Sequence, residues 1–123
     1  MSIHWTEQVD DDWADVKAEL GRAFQMSRTA AQAEESFVYV VHHDDLLGRR
    51  GSGNAMVAAG LLSAARTAAL EGSRKGWTAN VIAYDDEADR EQVERWANWM
   101  LDSNGATGEL IRIGHSHLGK ALP

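Results

Sequence analysis

The sequence predicts an α/β fold: a three-stranded parallel sheet with helices on both faces, in the order α-β-α-β-α-β. Three observations predict it. Short runs rich in β-branched and aromatic residues recur at 36–41, 77–84 and 109–113. Between them lie stretches whose apolar residues fall three and four apart, the period of a helix. Each strand–helix–strand connection is too long for a hairpin, so neighbouring strands run parallel, joined by right-handed crossovers.

Residues 1–10 carry no period and read as an arm in which Ile3 and Trp5 can pack; residues 11–123 form a single domain. From Asp11 onward, Trp13, Val16, Leu20, Phe24 and Ala31 make one stripe of a first helix. The acidic run Asp10, Asp11, Asp12 suits its N-terminal end, where the helix dipole favours negative charge. Residues 36–41 are the first strand, and a loop over 42–53 leads to a second helix at 54–71, closed by Gly72 as C-cap. Residues 77–84 are the second strand. Asp86 and Asp89 can cap a third helix with the stripe Val93, Trp96, Ala97, Met100 and Leu101, where Trp96 and Trp99 read as core. Asn104 and Gly105 end it, and 109–113 is the third strand.

Composition limits the classes of function. At 123 residues the chain is one domain, short for a complete dinucleotide-binding enzyme. With 44% hydrophobic and 25% charged residues it is globular rather than disordered. A net charge of -7 argues against nucleic acid, whose binding needs Lys and Arg opposite phosphates. The basic pairs Arg49-Arg50 and Arg74-Lys75 read as solvated loops. The absence of Cys removes disulfides, thiolate zinc sites and thiol nucleophiles together. No leader pattern is seen, and no apolar run approaches the ~18 residues of a membrane span, so a cytoplasmic protein is expected.

The second helix carries its own clue. Val57, Leu61, Ala64 and Ala68 can face the sheet, while Ala58, Leu62, Ala65 and Ala69 form a second apolar row beside them. A helix apolar over so much of its circumference needs two neighbours. The expectation is that Ala58, Leu62, Ala65 and Ala69 meet another subunit. The first strand poses a related demand, because its apolar edge must be covered. The arm, a second copy of the chain or a different subunit are the candidates.

Taken in order, a series of segments from Trp13 to Gly119 resembles the short-chain dehydrogenase/reductase family. Asp12-Trp13 and the run from Glu19 to Phe24 resemble its central helix, and Phe37 to Val41 the strand that ends at a catalytic Ser. The run from Gly53 to Gly60 is similar to the segment bearing the catalytic Tyr and Lys. The run from Gly76 to Ala83 resembles the family's Val-Asn strand, and Thr107-Gly108 with the residues to Ile113 its last strand. The resemblance implies a partial Rossmann-like, doubly wound layer, and a subunit contact built by the first two helices, which adds Leu20 and Phe24 to the expected interface. It also implies a chemistry in which Tyr moves a proton, Lys lowers the Tyr pKa, Ser holds the substrate oxygen and Asn supports a proton relay, with hydride carried by a nicotinamide.

Carried over position by position, the Tyr is Met56, the Lys is Gly60, the Ser is His43 and the Asn is Glu19. A thioether cannot shuttle a proton, and Gly60 has no side chain. The Pro-Gly pair that meets the cofactor is Tyr84-Asp85, and the segment that should cover substrate is absent because 86–89 runs into the third helix. Nothing before Trp13 resembles the family's first strands and their glycine-rich phosphate turn, and the glycines of 48–53 fall in the loop before the second helix. No cofactor is expected.

The most unusual polar group is His42-His43-Asp44-Asp45, just beyond a strand end, where open α/β sheets place ligands. His115 and His117 follow the last strand. Adjacent residues leaving a strand point to opposite sides, so two of the four can converge; no metal is expected there. The reading that follows is a non-catalytic subunit that assembles with, and stabilises or modulates, a catalytic dehydrogenase/reductase or itself. The alternatives are an NAD(P)-dependent oxidoreductase component active only in a complex, or a small enzyme using His42, His43 and Asp44.

Overall fold

The computed structural model describes residues 2–103 and 105–115. Among these, four parallel strands form one sheet in chain order: β1 (Ile3–Trp5), β2 (Phe37–His42), β3 (Ala79–Tyr84) and β4 (Leu110–Ile113). The helices are α1 (Trp13–Gln32), the single turn α2 (His43–Leu46), α3 (Ser52–Ser73) and α4 (Arg90–Asp102). The sheet therefore has one strand more than the three expected. The extra strand comes from the arm: Ile3 pairs with Val38, His4 with Tyr39 and Trp5 with Val40. Three residues are too few to display an alternating pattern, which is why the arm showed no period. The arm is also what covers the edge of β2, through Val38 N–H to the Ser2 carbonyl (2.8 Å) and Thr6 N–H to the Val40 carbonyl (2.9 Å).

Alternation along the strands divides the core into two layers. Phe37, Tyr39 and Val41 of β2, with Ala79, Val81 and Ala83 of β3, face α1 and α3. Val38, Val40, Ile82 and Ile113 face Val93, Ala97 and Met100 of α4. Strand order and chain order coincide, so every crossover steps the same way across the sheet. A crossover that steps the same way but lies on the opposite face has the opposite hand. The β3–α4–β4 connection is therefore opposite in hand to the other two, and the expectation of uniformly right-handed crossovers is corrected.

The helices are rotated from their expected settings. In α1 the buried positions are Val16, Glu19, Ala23 and Ala30, while Trp13 and Phe24 of the expected stripe are exposed. Small residues let α1 approach the sheet, and Glu19 is tolerated inside because it is fully paired. In α3, Val57, Ala58, Leu61, Leu62, Ala65 and Ala69 are all buried, whereas Ala64 is exposed and Ala68 half-buried. The arc facing the sheet runs between the two expected rows. Ala58, Leu62, Ala65 and Ala69, expected at a subunit contact, thus lie inside the chain's own core. Ala69, for example, is in van der Waals reach of Gly108, where an added Cβ would sit 3.4 Å from its own Cβ.

Gly72 does not cap α3, which continues to Ser73. Its role is space: a Cβ there would fall 2.5 Å from the Trp77 ring and carbonyl. The left-handed residue that ends the helix is Gly76, at φ 86°, whose N–H bonds the Gly72 carbonyl at 2.8 Å. Asp89 caps α4, accepting from Glu91 N–H at 3.1 Å. Trp96 and Trp99 do not enter the core; they stand 41% and 53% exposed, packed edge-to-face on each other. No helix among the described residues is long and apolar enough to cross a membrane.

Candidate functional site

Parallel sheets of this kind take ligands beyond the carboxyl ends of their strands. On the α4 side those ends carry Trp5, His42 and Tyr84. The Trp5 and Tyr84 rings lie 5.7 Å apart, and His42 meets Tyr84 edge-on at 5.2 Å. The Arg90 guanidinium sits 3.9 Å over the Trp5 ring, a cation–π contact from the start of α4. Asp85, at the position expected to meet a cofactor, holds backbone: it accepts from Glu87 N–H (2.9 Å) and His115 N–H (2.7 Å). That ties the end of β4 to the turn before α4.

The structure brings His42 and Asp44 of the expected polar cluster together with Asp86, and their ligand atoms lie within 4.8 Å of one another. The His42 ring is committed, however. Its Nδ1 accepts from the Asp44 backbone N–H at 3.0 Å, capping α2, so the ring proton is on Nε2 and is donated to Asp86 at 2.8 Å. A metal on Nε2 needs the opposite tautomer, with a proton on Nδ1 facing another N–H. The donor set has the right elements but not the right lone pair.

His43 is arranged the other way round. Its Nδ1 donates to Asp44 Oδ1 at 2.9 Å, leaving Nε2 buried and without a partner among the described residues. The His43 hydrogen bond holds the Asp44 carboxyl below its usual pKa against the opposing effect of burial, and the Arg49 guanidinium adds charge attraction. Asp45 belongs to a different pair, a two-point bond to Arg50 at 2.9 and 2.8 Å. The cluster is thus three separate arrangements rather than one site. His117 lies outside the described residues.

Besides His43, the positions carried over from the resemblance are Met56, Gly60 and Glu19. Met56 is 52% exposed, and Gly60 faces Leu20 across the α1–α3 contact. Glu19 is fully buried. It accepts from His4 Nε2 (2.7 Å), the Glu7 backbone N–H (3.0 Å) and both Arg22 Nε (2.9 Å) and Nη2. Burial alone would raise its pKa, but these hydrogen bonds outweigh that, so its carboxyl lies below the usual glutamate value. Neither the His4–Glu19 pair nor the His42–Asp86 pair was foreseen. Their members are 15 and 44 residues apart; packing of α1 on β1 joins the first pair, and the pairing of β2 with β3 joins the second.

Between α1 and α3 an apolar groove opens to the surface. Leu20, Phe24 and Ala31 form one wall, and Gly60, Ala64 and Ala68 the other. Phe37, Tyr39 and Trp77 make the floor. Phe24 stands 59% exposed at its rim.

The chain has the fold of part of a short-chain dehydrogenase. No family model matches the chain, and no curated protein matches it in sequence. Solved structures do match. A short chain dehydrogenase from Mycobacterium smegmatis superposes with a TM-score of 0.71 at 16% identity, over 95% of this chain and 60% of its own. A protein from Burkholderia xenovorans, described as a short-chain dehydrogenase/reductase, gives 0.67 at 16% identity, over 90% of this chain and 62% of its own. The chain thus spans less than two thirds of the dehydrogenases whose fold it shares.

Proposed function

We propose that this chain is a non-catalytic, cytoplasmic subunit of short-chain dehydrogenase type, which assembles through its α1–α3 face with a second subunit of that fold, its own copy included. The observation that carries this reading is the groove. A partner's helix would remove its apolar walls from water, and an exposed Phe24 has no role in the chain's own core. The pairing of Glu19, the exposed thioether of Met56 and the bare Gly60 support the non-catalytic part. The test is the mass in solution, by light scattering, of the wild-type chain and of Phe24→Asp, each alone and mixed with full-length short-chain dehydrogenases of the same organism. Assembly by the wild type that Phe24→Asp abolishes is the expected result. A wild type that stays monomeric in every mixture would sink the reading.

A second reading, an enzyme using the His–Asp group, draws on one observation: Asp44 orients His43 so that Nε2 is left as an unpaired base. Nε2 is buried, so a substrate would need a local opening. Loss of a hydrolase or lyase activity in His43→Gln, with the fold intact, would favour it over the subunit reading.

A further inference from the structure

β1 is attached differently from the other strands. It is one of the two edge strands, the shortest of the four at three residues, and none of its side chains is fully buried. β2 beside it is buried at all six positions. Ile3 and Trp5 pack on the α4 side of the sheet, whereas on the opposite face what holds β1 is polar and comes from α1. The Glu19 carboxylate binds the His4 ring in β1 and, with the same oxygen, the Glu7 amide just after it. Further along, the loop from β1 to α1 is pinned to the start of α3. There Val9 N–H donates to Asn54 Oδ1 (2.8 Å), and Gly53 N–H donates to Asp11 Oδ1 (2.7 Å). The strand therefore lies between a carboxylate clamp and an anchored loop, and the loop can stay in place if the clamp lets go.

We propose that β1 is a strap that opens locally, that the Glu19 carboxylate is its lock, and that an opened strap lets β2 accept the β1 of a second copy in its place. The occupant follows from complementarity already in the fold: the β2 edge matches Ile3–Trp5 in register, and Arg90 of α4 waits over the Trp5 position. A long apolar edge such as Phe37–His42 does not stay uncovered once bared. The groups facing Glu19 are His4 from β1, the Glu7 amide from the following loop and Arg22 from α1, whose guanidinium also lies 3.6 Å from the Glu7 carboxylate. On the β2 side Tyr39 meets His4 edge-on at 6.5 Å. The lowered pKa of Glu19 keeps the lock charged near neutrality.

The test is amide hydrogen exchange at Val38 and Thr6, whose bonds span β1 and β2, with Val81, bonded to the Glu109 carbonyl, as internal reference. It is run in the Phe24→Asp background, so that failure here is separate from failure of the groove contact. Glu19→Gln is expected to speed exchange at Val38 and Thr6 by about tenfold or more, the scale of a lost charged hydrogen bond, and to leave Val81 unchanged. It is also expected to form dimers by light scattering on concentration. His4→Gln, a milder change, should loosen the same two amides. Equal acceleration at all three amides, no acceleration, or opened amides in a chain that stays monomeric would each overturn the proposal.

Discussion

Glu19 and Asp44 are both carboxyls held below their ordinary pKa values of 4.5 and 3.8. Each binds protons more weakly folded than unfolded, so each contributes stability that is complete above the unfolded value and lost as pH falls through the folded one. The urea midpoint should therefore be flat from pH 7 to about 5 and decline below it, and Glu19→Gln should lower the plateau and flatten the decline. Asn80 makes a different demand. Its side chain bonds the Ala106 carbonyl (2.9 Å) and the Glu109 N–H (3.0 Å), holding the approach to β4 on a buried residue. Asn80→Ala should cost about 1–3 kcal/mol in urea denaturation, because it removes two hydrogen bonds made by a fully buried side chain. Gly72→Ala should cost about 1–3 kcal/mol or more, since its methyl has no room beside Trp77.

Element by element, the sequence disclosed types and junctions better than orientations. β2, β3 and β4 lie where apolar β-branched runs placed them, and Asp89 starts α4 as its side chain allows. The facing of α1 was not legible, because Trp13 and Phe24 look like core while Glu19 does not. Which way a helix turns depends on what it meets, and a carboxylate with three partners is a better interior group than an aromatic ring with none. The Trp pair of α4 repeats the lesson. Met100→Ala, from the buried side, should cost about 2–5 kcal/mol, whereas Trp99→Gln should stay within about 0.5 kcal/mol by thermal denaturation. Of the polar cluster, position at a strand end could be read from the chain. Its partition into a cap, a His–Asp pair and an Arg–Asp pair could not, because Asp86 arrives from the next strand.

For the whole molecule, the two faces of the sheet differ in kind. One carries α1 and α3 with an open groove between them; the other carries, among the described residues, α4 alone, reached by the crossover of opposite hand. If the groove is a subunit contact, the midpoint of thermal unfolding should rise with protein concentration in the wild type and be independent of concentration in Phe24→Asp, by the mass action that couples assembly to folding.

Because the strands pair in the order they occur in the chain, a ribosome delivers them ready for assembly. β2 emerges after β1, β3 after β2, and β4 after β3, so each finds its hydrogen-bonding neighbour already synthesised. No strand has to wait for a distant piece of sequence before it can be sheltered. Loop closure is then needed over only one helix at a time, a modest entropic cost at every stage. Elongation and folding can thus advance together, from one end of the sheet to the other.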